Sequence, residues 1–235
     1  DTRIKVVYRE KNGHISAASN SAVEIACGEW IALLDHDDLL SEHALFWVVD
    51  ALQKKSNVEL IYSDEDKIDA KGNRLSPYFK CDWNKALFYS QNLISHLGVY
   101  RTSLVKKAGG FRVGFEGSQD YDLALRCTEL ISPDQIWHIP RILYHWKIHE
   151  SSTALSSNLK PYAALAGEKA LNEHFSRKKI DAHAVSTTFG YRVHYSLPES
   201  PPRVSLIIPT RNGLQLIRQC ITSIIEKTTY QNYEI

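Results

Sequence analysis

The run Trp30-Ile31-Ala32-Leu33-Leu34, followed at once by Asp35-His36-Asp37-Asp38, constrains this chain more than any other stretch. A continuous apolar run of that length predicts a strand covered on both faces, as in α/β sheets with helices above and below. It stops on three carboxylates in four residues. Two carboxylates ~4 Å apart repel by roughly 4 kcal/mol at an effective dielectric of about 20, so the cluster calls for a hard divalent cation. The same residues also suit a solvated strand-to-helix turn, and the motif alone leaves both readings open.

The text around this run alternates between strand and helix. Lys5-Val6-Val7-Tyr8 predicts a short strand. After the Asn12-Gly13 turn, Ile15, Ala18, Ala22 and Ile25 fall at helical spacing, with Gly28 as the stop. Leu45, Val48, Val49 and Leu52 mark the next helix, with Ser41 as its cap. Leu60-Ile61-Tyr62 predicts another strand, running into Ser63-Asp64-Glu65-Asp66 and a polar turn at Lys71-Gly72-Asn73 that makes a hairpin and a mixed sheet. A short helix near Trp83 to Tyr89 and a strand near Leu97 to Tyr100 follow. Gly109-Gly110-Phe111 breaks the chain, and Ser118 is placed to cap a helix carrying Asp120 and Asp122 in its first turn. Ile136 to Ile139 and Ile142 to Trp146 predict strands, and Pro161 opens a helix that ends near Arg177-Lys178-Lys179. Pro198, Pro201 and Pro202 form a stiff boundary. Beyond it, Val204 to Ile208, the helix face of Ile217, Cys220, Ile221, Ile224 and Ile225, and Tyr233-Glu234-Ile235 make half of a strand-helix-strand unit.

Composition removes several function classes. With 235 residues, 43% of them hydrophobic, and a net charge of +1, the chain can bury one sizeable core but offers no basic stripe for nucleic acid. Cys27, Cys81, Cys127 and Cys220 form no Cys-x-x-Cys pair, which argues against zinc and against a secreted disulfide scaffold and fits a reducing cytoplasm. No stretch approaches the ~20 apolar residues of a membrane span, so any membrane association is expected to be peripheral, at the inner face, or to lie outside this chain. The chain contains no methionine and is expected to be a segment of a longer protein.

Taken in order, these elements resemble family 2 glycosyltransferases of the GT-A fold, of the bacterial rhamnosyl or O-antigen polysaccharide type. Asn12-Gly13, Ala17-Ala18-Ser19-Asn20, Gly28-Glu29-Trp30-Ile31 and Asp35-His36-Asp37-Asp38 match the family's run from the nucleotide-binding helix into its Asp-x-Asp loop. Gly109-Gly110-Phe111 and Gln119-Asp120-Tyr121-Asp122-Leu123 match the acceptor-side turn and the helix that presents the base, and Leu143 to His149 resembles the closing strand. The resemblance implies a Rossmann-like mixed sheet flanked by helices and incomplete at its N-terminus. Residues 1–155 would be the later two-thirds of one transferase domain, 156–202 a helix and linker, and 203–235 the opening of a second domain, with Ile208-Pro209-Thr210-Arg211-Asn212 as its turn. The tandem arrangement has an alternative, in which Val204 to Ile208 and its helix fill the slot of the missing opening elements.

By motif position the resemblance implies an inverting transfer from a nucleotide-sugar donor to a saccharide or lipid-linked saccharide acceptor. Mg²⁺ or Mn²⁺ would be held by Asp37 and by His145 or His149; Asp35, Asp38 and Asn20 would contact the nucleotide; and Asp120 would be the general base. Against that, Asp120 and Asp122 also complement a helix dipole, at about 0.3 to 1 kcal/mol each. Gln119 stands where many members have Glu, and Ser19 where many have Arg, which removes one acid and one phosphate or base contact. Asp64-Glu65-Asp66 is read as an exposed or hydrogen-bonded turn with no catalytic role, rather than a second cation site. Trp83, Tyr89, Asn92 and His96 are placed to line an acceptor groove, and core packing explains Trp83 and Tyr89 equally well. The rival readings are a non-catalytic structural piece of such a protein and a metal-dependent phosphotransferase, the latter lacking the Thr of a nucleophile loop and any phosphate-cradling glycine loop.

Overall fold

The computed structural model describes residues 1–148 and 161–235, which form two compact units, Asp1–His194 and Tyr195–Ile235. The first unit runs α1 (His14–Ile25), β1 (Trp30–Ala32), β2 (Leu39–Leu40), α2 (Ala44–Lys54), β3 (Leu60–Ile68), β4 (Arg74–Tyr78), α3 (Lys85–Ser90), β5 (Gly98–Arg101), α4 (Thr102–Lys107), α5 (Gln119–Thr128), β6 (Ile136–Lys147), α6 (Pro161–Lys178), β7 (Ala182–Thr187) and β8 (Gly190–Tyr195). The second holds β9 (Val204–Ser205), α7 (Leu214–Lys227) and β10 (Tyr233–Glu234).

Six strands make one mixed sheet in the order β1-β5-β3-β6-β2, with β4 also beside β3. Among the described residues only β3 and β6 pair in parallel within it. Because strand side chains alternate between faces, β3 feeds two cores. Leu60 and Tyr62 join Leu104, Leu125, Leu171 and Phe175 of α4, α5 and α6, whereas Ile61 joins Val48 and Ala51 of α2 with Val99 and Leu143. Helices therefore cover both faces, as the alternating pattern predicts.

Several expectations change. Lys5–Tyr8 forms no strand: Ile4, Val6, Val7 and Tyr8 are 70, 62, 44 and 91% exposed, and among the described residues no strand pairs with them. The tryptophan-led run is shorter than its apolar length implies and is covered on neither face completely, because β1 is the sheet's edge strand, antiparallel to β5. Ser41 does not cap α2; the helix starts after His43 without a side-chain cap. Ser118 precedes α5 as expected, but its hydroxyl donates to Ala163 O at 2.8 Å instead of capping. The two strands expected between Ile136 and Trp146 are one, running through Pro140.

The largest correction concerns Asp64-Glu65-Asp66, which is no turn: all three residues are buried inside β3. Each carboxylate has a cationic or hydrogen-bonding partner. Asp64 meets His138 at 2.8 Å, Glu65 meets Lys80 at 3.1 Å, and Asp66 meets His145 and Arg74, each at 2.5 Å. Burying such groups is tolerable only when they are paired and hydrogen-bonded. The hairpin at Lys71-Gly72-Asn73 is present, with Gly72 at φ +86. The β7–β8 hairpin was not anticipated at all, since residues 156–202 read as helix and linker.

In the second unit β9 and β10 pair in parallel across α7, the strand-helix-strand half expected there. β9 pairs with β10 in a sheet of its own, so it does not supply a strand to the six-stranded sheet. The four cysteines are free, and among the described residues no helix is long and apolar enough to cross a membrane.

Candidate active site

A cleft of about 1200 Å³ opens in the first unit beside the end of β1. Its walls come from the inner face of α1, the segment Gln91 to His96, the approach to α5, Trp146 of β6, and the β7–β8 hairpin. Asp35 and Asp120 both line it. Neither a lysine nor an arginine lies among its described lining residues.

The acidic loop is shaped by β6. Asp38 is buried, and both of its oxygens are engaged: Tyr144 Oη donates to Oδ2 at 2.5 Å and the Lys147 amide donates to Oδ1 at 2.8 Å. Tyr144 Oη also accepts the Asp35 amide at 3.3 Å, so one phenol ties both ends of the loop to the strand. Burial and the Asp38 carboxylate raise the Tyr144 pKa, which keeps the phenol a donor. Asp35 is exposed as a residue, yet desolvation in the cleft wall raises its pKa; His96 opposes this, and Asp38 and Asp37 add to it. Asp37 is half-buried, 3.7 Å from His36 Nδ1.

His96 stands beside this loop, its ring on the Tyr144 that ties the loop down. One ligand atom from each of Asp35, Asp38 and His96 falls within 4.8 Å of the others, a donor set of two oxygens and a nitrogen that fits Mg²⁺ or, better, Mn²⁺. The histidine is held on three sides. Its amide donates to Glu65 Oε2 at 3.0 Å, its carbonyl accepts from Lys80 Nζ at 2.7 Å, and its ring stacks on Tyr144 at 4.4 Å between centroids. Lys80 and Glu65 thus clamp the main chain, while the ring makes no hydrogen bond among the described residues.

Asp120 lies in the first turn of α5 and lines the same cleft as His96. Asn92 Nδ2 donates to its Oδ2 at 2.7 Å. Desolvation raises its pKa above the ordinary carboxylate range, with His96 opposing the shift and Asp35 adding to it. Asp35 and Asp120 therefore feel one another across the cleft. Asp122 does a different job from that of a helix-dipole partner. It is fully buried and ion-paired with Arg112 and Arg126, and Arg126 Nη2 also donates to Gly110 O at 2.7 Å. That network fixes the start of α5 against the Gly109-Gly110-Phe111 turn, which makes Asp120 a side chain on a rigid support.

The remaining expected residues lie elsewhere. Asn20 spends its amide on the same turn, donating to Phe111 O at 2.7 Å and accepting the Phe111 amide at 2.8 Å, while its neighbour Ser19 lines the cleft. A Cβ at Gly110, where φ is +66, would stand 2.5 Å from Asn20 Oδ1, so only glycine admits this contact. His145 Nδ1 is taken by Asp66, and a coordinating role would have to use Nε2. His149 lies outside the described residues. Of the aromatic and polar quartet, Trp83 packs on Phe88 and Tyr89 is buried against Phe175, whereas Asn92 and His96 line the cleft. The Glu65–Lys80 clamp escaped sequence reasoning because its members lie 15 positions apart and meet through a hairpin.

Comparison with known proteins gives these residues a context. Residues 1–109 match the family model "Glycosyl transferase family 2". A Sinorhizobium fredii protein, y4gI, is 49% identical over 238 aligned residues, covering all of this chain and 26% of that protein. The O-antigen biosynthesis protein RfbC of Myxococcus xanthus is 34% identical over all of this chain and 18% of its own length. Chondroitin synthase of Escherichia coli is 27% identical over 62% of this chain and 21% of its own. The chain thus spans about a quarter or less of these three relatives. Among solved structures, S. aureus TarS 1-349 in complex with UDP-GlcNAc superposes with a TM-score of 0.51 at 17% identity, over 73% of this chain and 56% of that one. The mixed sheet flanked by helices is therefore of the GT-A type.

Proposed function

From a chain that carries a glycosyl transferase family 2 segment on a GT-A type sheet, we propose an inverting, divalent-cation-dependent glycosyltransferase of bacterial surface polysaccharide synthesis. It would move a sugar from a nucleotide diphosphate to a saccharide or lipid-linked saccharide acceptor, on the cytoplasmic side of the membrane, as part of a tandem protein. The observation that carries this reading is the shared cleft: the acidic loop and Asp120 face one volume large enough for a nucleotide-sugar and an acceptor unit.

The leaving diphosphate brings negative charge to a cleft that already holds Asp35, Asp120 and Glu116 and has no lysine or arginine among its described lining. Charge of that sign at short range needs a counterion. Asp35, Asp37, Asp38 and His96 would hold it, with His145 through Nε2 as a further donor. A bound Mg²⁺ or Mn²⁺ supplies Lewis-acid stabilisation of the departing oxygen. Ser19 and the α1 face would border the nucleotide, and Asn20 would act through the turn it braces. On the opposite side of the sugar, Asp120 would take the acceptor hydroxyl's proton; its desolvated carboxylate is a stronger base than a solvated one, and Asn92 orients it.

One observation favours the second reading, a non-catalytic piece of the larger protein. Ile4 to Tyr8 build no strand, so they add nothing to the wall beside β1 where a base would be gripped. Calorimetric titration with UDP-, dTDP- and GDP-sugars, with and without Mn²⁺, separates the two. The expected result is Mn²⁺-dependent binding of one donor, weakened at least about tenfold in Asp37→Ala. Failure of all three donors to bind, with turnover by the longer protein, would favour the second reading.

A further inference from the structure

We propose that the β7–β8 hairpin is the acceptor subsite and that it takes an uncharged sugar in preference to a uronic acid, an inference that rests on the transferase reading above. The hairpin follows α6 and completes the cleft wall beyond Asp120, with Thr187, Thr188, Gly190 and Tyr191 facing the cavity. Tyr191 reaches the neighbourhood of the candidate base: its ring stacks on Tyr121 at 5.8 Å, next in sequence to Asp120, and the Asp120 charge helps to raise its pKa after desolvation. The donor end of the cleft belongs to the acidic loop, so an acceptor whose hydroxyl meets Asp120 has its remaining length directed toward this hairpin.

The hairpin is fastened rather than loose. Asn172 of α6 exchanges two hydrogen bonds with the Ala184 main chain, at 3.0 and 2.8 Å, and Glu168 accepts the Ser186 amide at 2.6 Å. Gly190 sits so close to α3 that an added Cβ would stand 2.3 Å from Ser90 O. Yet the tip presents Phe189 at 93% exposure between residues that line the cavity. The Thr187 hydroxyl is taken within the hairpin by Gly190 O and the Phe189 amide, so an exposed aromatic ring at the cavity rim next to the Thr188 hydroxyl is what a sugar meets, its C–H face stacking on the ring while its hydroxyls bond at the edge.

The charge preference follows from the lining. Asp35, Glu116 and Asp120 are acidic, and no lysine or arginine is present among the described lining residues to receive a carboxylate. A uronate would meet repulsion with no compensating ion pair, the arrangement that rejects a ligand.

Saturation-transfer NMR on this chain tests the inference, with Mn²⁺ and UDP, dTDP or GDP present to fill the donor end. The probes are the methyl glycosides of glucose, galactose, N-acetylglucosamine, rhamnose and glucuronic acid. Neutral glycosides should receive saturation, the glucuronide at least about tenfold less, and Phe189→Ala should weaken the neutral signal about tenfold while leaving the melting curve unchanged. Binding of the glucuronide at least as well as the neutral probes would overturn the proposal. So would the absence of neutral binding, or a Phe189→Ala chain that binds like the parent. The nucleotide signal in the same sample keeps the two readings apart. If no nucleotide is saturated, the transferase reading fails; if one is and Phe189→Ala changes nothing, only the hairpin assignment fails.

Discussion

Asp120→Asn should lower turnover by about 10²–10⁴-fold while nucleotide and Mn²⁺ binding stay within a small factor of the parent. The amide preserves the shape of the side chain and can still accept from Asn92, but it cannot take a proton. A second signature comes from the pKa. Desolvation holds Asp120 above the ordinary carboxylate range. A base must be ionised to work, so the acid limb of the rate profile should lie at higher pH than a solvated aspartate would give, and activity should be lost as pH falls through it. The sign for stability is opposite. A carboxyl with a raised folded pKa favours the folded state below its unfolded pKa, and that contribution disappears as pH rises through the folded value. At neutral pH the folded protein carries this charge at a cost, and Asp120→Asn should melt no lower than the parent, or slightly higher. A variant that keeps full turnover would remove Asp120 from the chemistry, and one that unfolds would show that its role is structural.

Lys80→Met should be the most damaging single change to the fold. The ammonium is completely buried, 3.1 Å from Glu65 Oε2, 2.8 Å from Ile94 O and 2.7 Å from His96 O. Desolvation lowers its pKa, with Glu65 and Asp64 opposing the shift, the balance expected of a buried pair. Removing one partner leaves Glu65 charged and unpaired, at a cost of about 3–5 kcal/mol and a fall in melting temperature on the order of 10 °C. Replacing both, as Glu65→Gln with Lys80→Met, removes the stranded charge and should recover most of the loss. The test is the comparison of the two melting curves. If the single variant melts like the parent, the pair is not what holds His96 in the cleft.

How much of this was readable without coordinates depends on how local the physics is. Most of the longer helices and the strands β1, β3 and β5 were, because apolar spacing and the turns at Gly72 and Gly109-Gly110 act over a few residues. The acidic loop was visible too, since close charges on a strand end are unusual enough to need a cause, and its placement opposite Asp120 came from the family pattern. Lys5–Tyr8 shows the limit of propensity: a strand exists only through a neighbour's hydrogen bonds, and composition cannot supply one. Asp64-Glu65-Asp66 shows another. A run of acids reads as solvated because its partners, His138, Lys80 and His145, come from distant stretches that only the sheet brings near. The β7–β8 hairpin does alternate, with Ala182, Ala184, Tyr191 and Val193 inward and His183, Arg192 and His194 outward, but two of its inward residues are alanines, too small to mark a strand by hydrophobic pattern.

The buried acids of β3 also determine how β6 lies beside them. His138 reaches Asp64 and His145 reaches Asp66, on either side of the irregularity in the parallel ladder. Sliding β6 by one residue would present Trp137 or Ile139 to the first acid and Tyr144 or Trp146 to the second, none of them an imidazole. A parallel pair has no tight turn to set its alignment, and here two imidazole–carboxylate contacts act as the locating pins. Since Tyr144, Trp146 and Lys147 ride on the same strand, those pins also decide where the floor beneath the Asp35–Asp38 loop comes to rest.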